Sequence, residues 1–381
     1  MRPSRPEFVT SAHYPRRWRI LAASTATILS VVTIDIAGAQ FVPPPPPTPP
    51  TPPVVLFPNT TDTNSRFAAT ASLTDLGSNF LRRLGNHATW GTNAAIGSNP
   101  GGGGASQAGT SAFPVRLWGE AYGLSSRTGP QGTFVGDKRE TIGGVAGFAA
   151  TLAPDFNLGV WVDQSHTRID VPLAAQSAVL DLTQVGVNAS YSIGPWTVAA
   201  AGVHGFGNIA SRRQTSLGLT GSGYNGRVDA ALGELSYYWS IGQARVVPKT
   251  SIEYIRATTD SFAEYGGLNP VSAGPATAER TRFLVGAEVG HYWIVDRRVI
   301  DLSAYGKFVD NVAQNVSTVQ VSLGNNSIAI QGIRESRYGA DAGASASFGL
   351  TDALRLYLNY DGKFRDGFHS HQGLLGLEVK W

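Results

Sequence analysis

The 381-residue chain has no cysteine, which excludes disulfides and any thiolate site. Charged residues are scarce at 15%. Outside the N-terminal segment there is no apolar run of the ~18 residues that a spanning helix needs. Excess positive charge is also missing from the body of the chain. The formal net charge of +3 arises from Arg2, Arg5, Arg16, Arg17 and Arg19, opposed only by Glu7 and Asp35. Without that segment basic and acidic residues balance, so nothing points to nucleic acid as a partner. In place of these features stand 45 glycines and 10% aromatics.

The final residues give the clearest pattern. Leu375, Leu377, Val379 and Trp381 share one parity, whereas Gly376, Glu378 and Lys380 share the other. A period of two is a strand with one apolar and one polar face. An apolar face ending on tryptophan suits a membrane β-barrel, whose outer face meets lipid and whose aromatics sit at the interface.

The same texture runs back to Val115. Twelve strand-like segments are expected at roughly 115–124, 139–152, 158–168, 180–192, 196–210, 226–241, 244–262, 279–293, 299–311, 334–350, 354–364 and 371–381. Their connections alternate between tight turns, such as Gly194-Pro195, Gly242-Gln243 and Thr351-Asp352, and long loops at 125–138, 169–179, 211–225, 263–278 and 312–333, with a shorter one at 365–370. That asymmetry, with an even strand count, predicts an up-and-down antiparallel barrel whose two ends lie on the short-turn side. Leu354, Leu356, Leu358 and Tyr360 alternate with Arg355, Tyr357, Asn359, Asp361 and Lys363. Arg or Lys on the lipid face costs about 2–4 kcal/mol at mid-depth. Arg116, Glu120, Arg355, Asp361, Lys363 and Glu378 are therefore expected to face the lumen.

Upstream, residues 1–39 read as a secretory signal: Arg16, Arg17 and Arg19, then the apolar Ile20 to Ile36, then a cleavage site formed by Ala37-Gly38-Ala39. Residues 40–63 contain a proline-dominated spacer (Pro43 to Pro47, Pro49, Pro50, Pro52, Pro53, Pro58) that stays extended. Residues 64–114 hold a helix expected at 72–86, capped by Ser72 with Asp75 three residues on, and then a glycine-rich linker. Leu73, Leu76, Phe80 and Leu84 form its apolar stripe, Ala68 to Ala71 could extend it upstream, and Gly85-Asn86 supplies a stop. Gly77 weakens it by about 1 kcal/mol.

From Val115 to Trp381 the chain resembles the C-terminal β-barrel translocator domain of type V autotransporters. The motifs that carry the resemblance are Leu117-Trp118-Gly119-Glu120-Ala121-Tyr122-Gly123, Gly143-Gly144-Val145-Ala146-Gly147, Tyr360-Asp361-Gly362-Lys363-Phe364 and the tail from Ser370 to Trp381. The resemblance implies a twelve-stranded barrel with an N-terminal helix threaded through its pore, and export of an upstream passenger. It casts Asp75, Arg82 and Arg83 as residues of a pore helix. It casts Leu375, Leu377, Val379 and Trp381 as an insertion signal for the barrel-assembly insertase of Gram-negative bacteria. Expected partners are outer-membrane lipid, that insertase and periplasmic chaperones, with the barrel a monomer in the bacterial outer membrane. The chain departs from the family in having only a short, proline-rich stretch between signal and helix, too short for a folded passenger, and a longer linker after the helix.

No residues assemble into a catalytic pattern. Asp163 and Ser165 share a strand face that His166 does not, so they cannot form a relay there. His369 and His371 share a parity, but the nearest carboxylate, Asp366, has the other, and two ligands are too few for zinc. His204 and His291 stand alone, and Gly-Ser-Gly at 221–223 lacks the strand–turn–helix of a nucleophile elbow. The one Asn-Asn pair, Asn325-Asn326, falls in an outer loop rather than in the helix. The reading is a non-enzymatic translocator or surface-exposed barrel without cofactor or metal. The alternatives are a small-solute channel, or an adhesin or hydrolase acting through the outer loops.

Overall fold

The computed structural model describes residues 57–88, 115–296 and 298–381. The expected signal segment with Ala37 and Ala39, most of the proline spacer and the glycine linker lie outside the described residues. Among them are one long helix, α1 (Asn64–Ala88), one short 3-10 turn (Pro172–Ala174) and seventeen strands. The strands are β1 (Val115–Thr128), β2 (Asp137–Ala153), β3 (Phe156–Val171), β4 (Gln176–Ile193), β5 (Trp196–Thr215), β6 (Gly218–Tyr237), β7 (Trp239–Ile241), β8 (Ala244–Thr259), β9 (Phe262–Ala263) and β10 (Ser272–Ala273). They continue with β11 (Ala276–Val295), β12 (Arg298–Val316), β13 (Thr318–Leu323), β14 (Asn326–Gln331), β15 (Tyr338–Gly349), β16 (Leu354–Arg365) and β17 (Phe368–Lys380).

Twelve of these close an antiparallel ring in chain order: β1 to β6, β8, β11, β12 and β15 to β17. The seam is β1 against β17, in register from Arg116↔Lys380 to Thr128↔Phe368. Trp381 extends it by exchanging both backbone hydrogen bonds with Val115. Closure is obligatory, because an unpaired N–H or C=O facing hydrocarbon costs several kcal/mol. β7 continues β6 beyond Tyr238, and β9, β10, β13 and β14 form a small separate sheet from two loops at the far end.

Alternation decides which face each residue takes. Outward, Leu158, Val160, Val162, Val185 and Val187 form part of an apolar band. Tyr191, Trp196, Trp239, Trp293 and Trp381 are exposed toward the short-turn end, as an interfacial aromatic girdle requires. Inward, Gly147 shows why a barrel needs glycine on its packed face. A Cβ there would lie 2.5 Å from the Trp161 ring, so the missing side chain is the seat of an aromatic from the next strand.

The short turns fall where expected, between β2 and β3, β4 and β5, β11 and β12, and β15 and β16, and both ends of the barrel share that side. This is the periplasmic end. The outer end differs from expectation. The stretches 169–179 and 211–225 are mostly strand, with turns of only 172–175 and 216–217. The reason is that β3 to β6 overshoot the bilayer, which a strand crosses in about 9–11 residues. Beyond the lipid band, the outward positions become His166, Arg168, Asp170 and Arg212, so apolar alternation disappears while strand hydrogen bonding continues. The long outer connections are 260–275 and 317–337.

The helix also begins earlier than its expected 72–86. Ser72 is not its cap: it sits inside α1, with its hydroxyl donating to the Ala68 carbonyl at 2.8 Å. The real N-terminus is tied down by tertiary partners. The Ser65 N–H donates to Gln176 Oε1 at 2.8 Å, and the Asn64 side chain accepts from the Val135 N–H. Gly85-Asn86 does not end the helix either, which runs through to Ala88.

Candidate functional site

The helix fills the lumen. Phe67, Leu73, Leu76, Phe80, Leu81 and Leu84 are all buried, although α1 by itself is only weakly amphipathic. Its N-terminus meets Val135 and Gln176 at the outer end, and its last turn meets Trp118 and Glu120 near the periplasmic end of the seam. The chain thus enters the pore from outside and leaves it toward β1.

One side of α1 lies directly on the wall formed by β4, β5, β6 and β8. Inward aliphatic side chains there are Leu180, Leu182, Val203, Val228, Leu232 and Ile255, with Asn188 of β4 and Glu253 of β8 as polar exceptions that also reach the helix. Glycines allow the approach from both partners. A Cβ on Gly77 would lie 2.6 Å from Val228 Cγ2, and one on Gly85 would lie 2.4 Å from Leu232 Cδ2. Conversely, Leu84 projects over Gly186 of β4 and Leu73 over Gly226 of β6. Gly77, expected to weaken α1, and Gly85, expected to stop it, are therefore its docking surface.

The other side of α1 reaches the wall through charge. Asp75 Oδ2 accepts from Arg139 Nη1 at 2.8 Å. Arg82 pairs with Glu253 at 3.0 Å and also with Asp341. Arg83 pairs with Glu120 at 3.1 Å and Asp163 at 3.8 Å, and lies 4.4 Å above the Tyr122 ring. The Ser78 hydroxyl sits between Glu253, Arg282 and Lys363. At the inner end His87 stacks on Trp118, with ring centroids 4.8 Å apart and planes at 9°, and its Nε2 is 2.7 Å from Glu120 Oε1. Tyr357 donates to the same carboxylate.

All six residues expected in the lumen project inward, but they do not act as one group. Glu120 and Lys363 reach the helix. Arg355 and Glu378 pair with each other, Asp361 accepts from Tyr305, and Arg116 donates to Asn157 at 3.1 Å. Sequence reasoning passed over Arg139, Glu253, Arg282 and Asp341, which between them bond Asp75, Ser78 and Arg82 of the helix. Each lies on an alternating strand and was legible as lumen-facing, but nothing local marked it as opposite a helical arginine. A second cluster, Arg245 with Glu288 at 2.9 Å and Asp301 at 2.6 Å, braces the wall away from α1. At the outer mouth Glu335 stays ionised. Burial works against its charge, but Arg280, Arg282 and Arg365 outweigh that and hold its carboxyl well below the usual range.

The catalytic candidates stay apart. Asp163 and Ser165 are buried in the lumen, whereas His166 faces out and bonds Asp181 at 2.7 Å. His204 likewise bonds Asp229 on the outer surface, and His371 bonds Tyr360. Among the described residues no three His, Asp or Glu side chains could hold a metal ion. Leu375, Leu377 and Trp381 are exposed on the lipid side of β17 and the residue after it, and Val379 shares their face.

A closed twelve-stranded barrel with a helix through its lumen defines an outer-membrane protein of the translocator class. The family model described as the autotransporter β-domain matches residues 117–361, and the chain belongs to that family. The fold is similar to the translocator domain of autotransporter NalP from Neisseria meningitidis, with a TM-score of 0.63 at 13% identity, covering 84% of this chain and 100% of that one. It is also similar to the β-domain of the Bordetella autotransporter BrkA, with a TM-score of 0.54 at 13% identity, covering 70% of this chain and 100% of that one. A search of curated proteins finds no match. The barrel is a transport barrel of the bacterial outer membrane.

Proposed function

We propose that this barrel delivers the residues N-terminal to α1 to the cell surface and then holds α1 as the plug of its own pore, with no chemistry of its own. The observation that carries this reading is the polarity of the helix. Ser65 is bonded at the outer end and His87 at the periplasmic end, so the chain before α1 exits outward. In this reading the signal is cleaved after Ala39, chaperones carry the chain across the periplasm, and the insertase reads Leu375, Leu377, Val379 and Trp381. The finished barrel stands as a monomer in outer-membrane lipid.

An epitope inserted just before Phe57 tests the orientation. It should bind antibody on intact cells; binding only after permeabilisation overturns the proposal. Deleting Trp381 tests the insertion step. That residue supplies the last backbone pair of the seam and an interfacial aromatic. The deletion should lower outer-membrane levels and leave the protein in the periplasm or degraded. A normal amount of heat-modifiable barrel would remove Trp381 from the signal.

A further inference from the structure

Basic residues meet on the outward face of the seam, at its outer end. His369 of β17 lies opposite Arg127 of β1, and Arg127 lies opposite Lys138 of β2. All three are exposed. A strand crosses the bilayer in about 9–11 residues. Starting from the Val115–Trp381 pair at the periplasmic end, the three lie just beyond that span, at the level of the outer headgroups. Like charges directly opposite one another in a sheet are destabilising. Among the described residues none of the three has an ion-pair partner that would offset this. On the membrane side of the cluster the surface turns aromatic. Phe364 of β16 lies opposite His369, its ring meets that of His371 at 5.7 Å, and the Tyr360 hydroxyl bonds His371 Nδ1 at 2.7 Å. A surface depression of about 220 Å³ is lined by Arg127, Phe364, Gly367 and His369.

We propose that this patch binds a phosphorylated lipid of the outer leaflet, with a phosphate among Arg127, Lys138 and His369 and an acyl chain running down past Phe364 and Tyr360 onto Leu358 and Leu375. The inference rests on the loop end of the barrel facing outward. The nearby acids do not occupy the cluster. Glu140 lies opposite Arg168, and Asp170 lies opposite Lys138, so neither stands across from Arg127. Asp366, in the turn after β16, lines a separate cavity of about 330 Å³ beside the first turns of α1 at the outer mouth. Arg365 turns inward to Asp341 at 2.7 Å. Elsewhere on the outward face His166 pairs with Asp181, His204 with Asp229 and Arg256 with Glu279. At the seam three basic residues stand side by side without such acids. A phosphate accepts from several donors at once and suits the planar fork of an arginine. Basic clusters at a membrane surface recognise lipid headgroups in this way. Leu358 and Leu375 are opposite each other and exposed, so the path below the cations is apolar into the lipid band. That path fits a phosphate carried on an acyl lipid, whereas a free phosphate would leave it unused.

The test uses the full mature protein, purified from outer membranes, stripped of lipid and held in detergent micelles, so that its result does not depend on which end faces out. The probe is bisphosphorylated lipid A, titrated and counted on the protein by native mass spectrometry, with the same lipid after removal of its phosphates as the control. The folded parent should retain the phosphorylated lipid and bind the dephosphorylated one at least about tenfold more weakly, in keeping with lost charge-assisted bonds. Arg127→Gln with Lys138→Gln should weaken binding of the phosphorylated lipid by a similar factor while heat-modifiable migration shows a folded barrel. Arg127→Gln alone should show a smaller loss in the same direction, and it decides if the double variant does not assemble. Arg227→Gln, which removes an exposed outward arginine of β6 away from the seam, should bind as the parent does. Equal binding of the two lipids overturns the proposal, as does undiminished binding in the folded seam variants or an equal loss in Arg227→Gln. Complete displacement of the lipid by millimolar inorganic phosphate would mark a free-phosphate site and overturn the lipid assignment.

Discussion

The two sides of the lumen hold the same helix by different physics. On the β4–β8 side, backbones approach through glycine and the close contact is aliphatic, with Leu73 over Gly226 and Leu84 over Gly186, although Glu253 at its β8 edge takes Arg82. On the β1, β2, β15 and β16 side, α1 connects through side chains that reach across a gap, Arg83 to Glu120, Asp75 to Arg139 and Arg82 to Asp341, and through the His87 ring on Trp118. Dispersion and burial act over a few tenths of an ångström, so the first side sets position. Charge pairs span a gap without filling it, so the second side sets closure and leaves room for the cavity at the mouth. It is also the side that answers to substitution by charge, because each buried partner left alone is costly.

The largest effect is therefore expected from Arg82→Glu with Arg83→Glu. Arg82 serves Glu253 and Asp341, and Arg83 serves Glu120 and Asp163. The double change places two carboxylates among four. Breaking one buried pair costs about 3–5 kcal/mol. The helix should leave the lumen, which then fills with water and hydrates the wall. Ion conductance in planar bilayers should rise several-fold while the barrel keeps its heat-modifiable form, since its strands close without α1. Unchanged conductance in a folded double mutant would show that the charged side does not hold the plug.

A smaller effect is expected on the apolar side, and it should differ between two glycines. Alanine at Gly77 meets Val228 Cγ2 at 2.6 Å, a branched side chain fixed on its strand. Alanine at Gly85 meets the tip of Leu232, which can rotate away. Either change gains about 1 kcal/mol of helix propensity. Overpacking costs about 1–3 kcal/mol, so Gly77→Ala should lose net stability by thermal melting while Gly85→Ala stays near neutral. Adding Val228→Ala should restore Gly77→Ala. Equal melting of the two single variants would mean that the helix is not keyed to β6.

The contrast between the two sides also explains what was legible in the sequence. The barrel was legible because lipid imposes alternation wherever a strand crosses it; Leu354 to Lys363 shows this without any partner in view. Alternation also gave the inward direction of Glu120 and Lys363. It failed in β3 to β6 above the membrane, where Arg168 and Asp170 replace the apolar positions although the strand continues. The helix start failed for a related reason. Its N-terminal N–H is met by Gln176 of β4, which no local capping pattern reveals. The pairing of Arg82 with Glu253 and Asp341 requires knowing which wall faces which side of α1. That follows from Gly77 and Gly85, which read in isolation only as a weak point of the helix and as its stop.

His87 lies where the two sides meet, and it gives the smallest and most discriminating test. Its ring stacks on Trp118 and tilts against Trp161 at 4.5 Å, while Nε2 contacts Glu120, the carboxylate that also serves Arg83. His87→Phe keeps the ring stack and removes the polar contact; His87→Ala removes both. Aromatic pairs contribute about 0.5–1.5 kcal/mol beyond area. His87→Phe should therefore leave melting close to the parent, because Arg83 and Tyr357 still satisfy Glu120. His87→Ala should fray the last turn, shift the tryptophan emission toward that of a wetter site, and raise conductance less than the double arginine variant does. If His87→Ala opened the pore as widely as that variant, the inner aromatic cage would be the lock, and the charged side of the lumen only its guide.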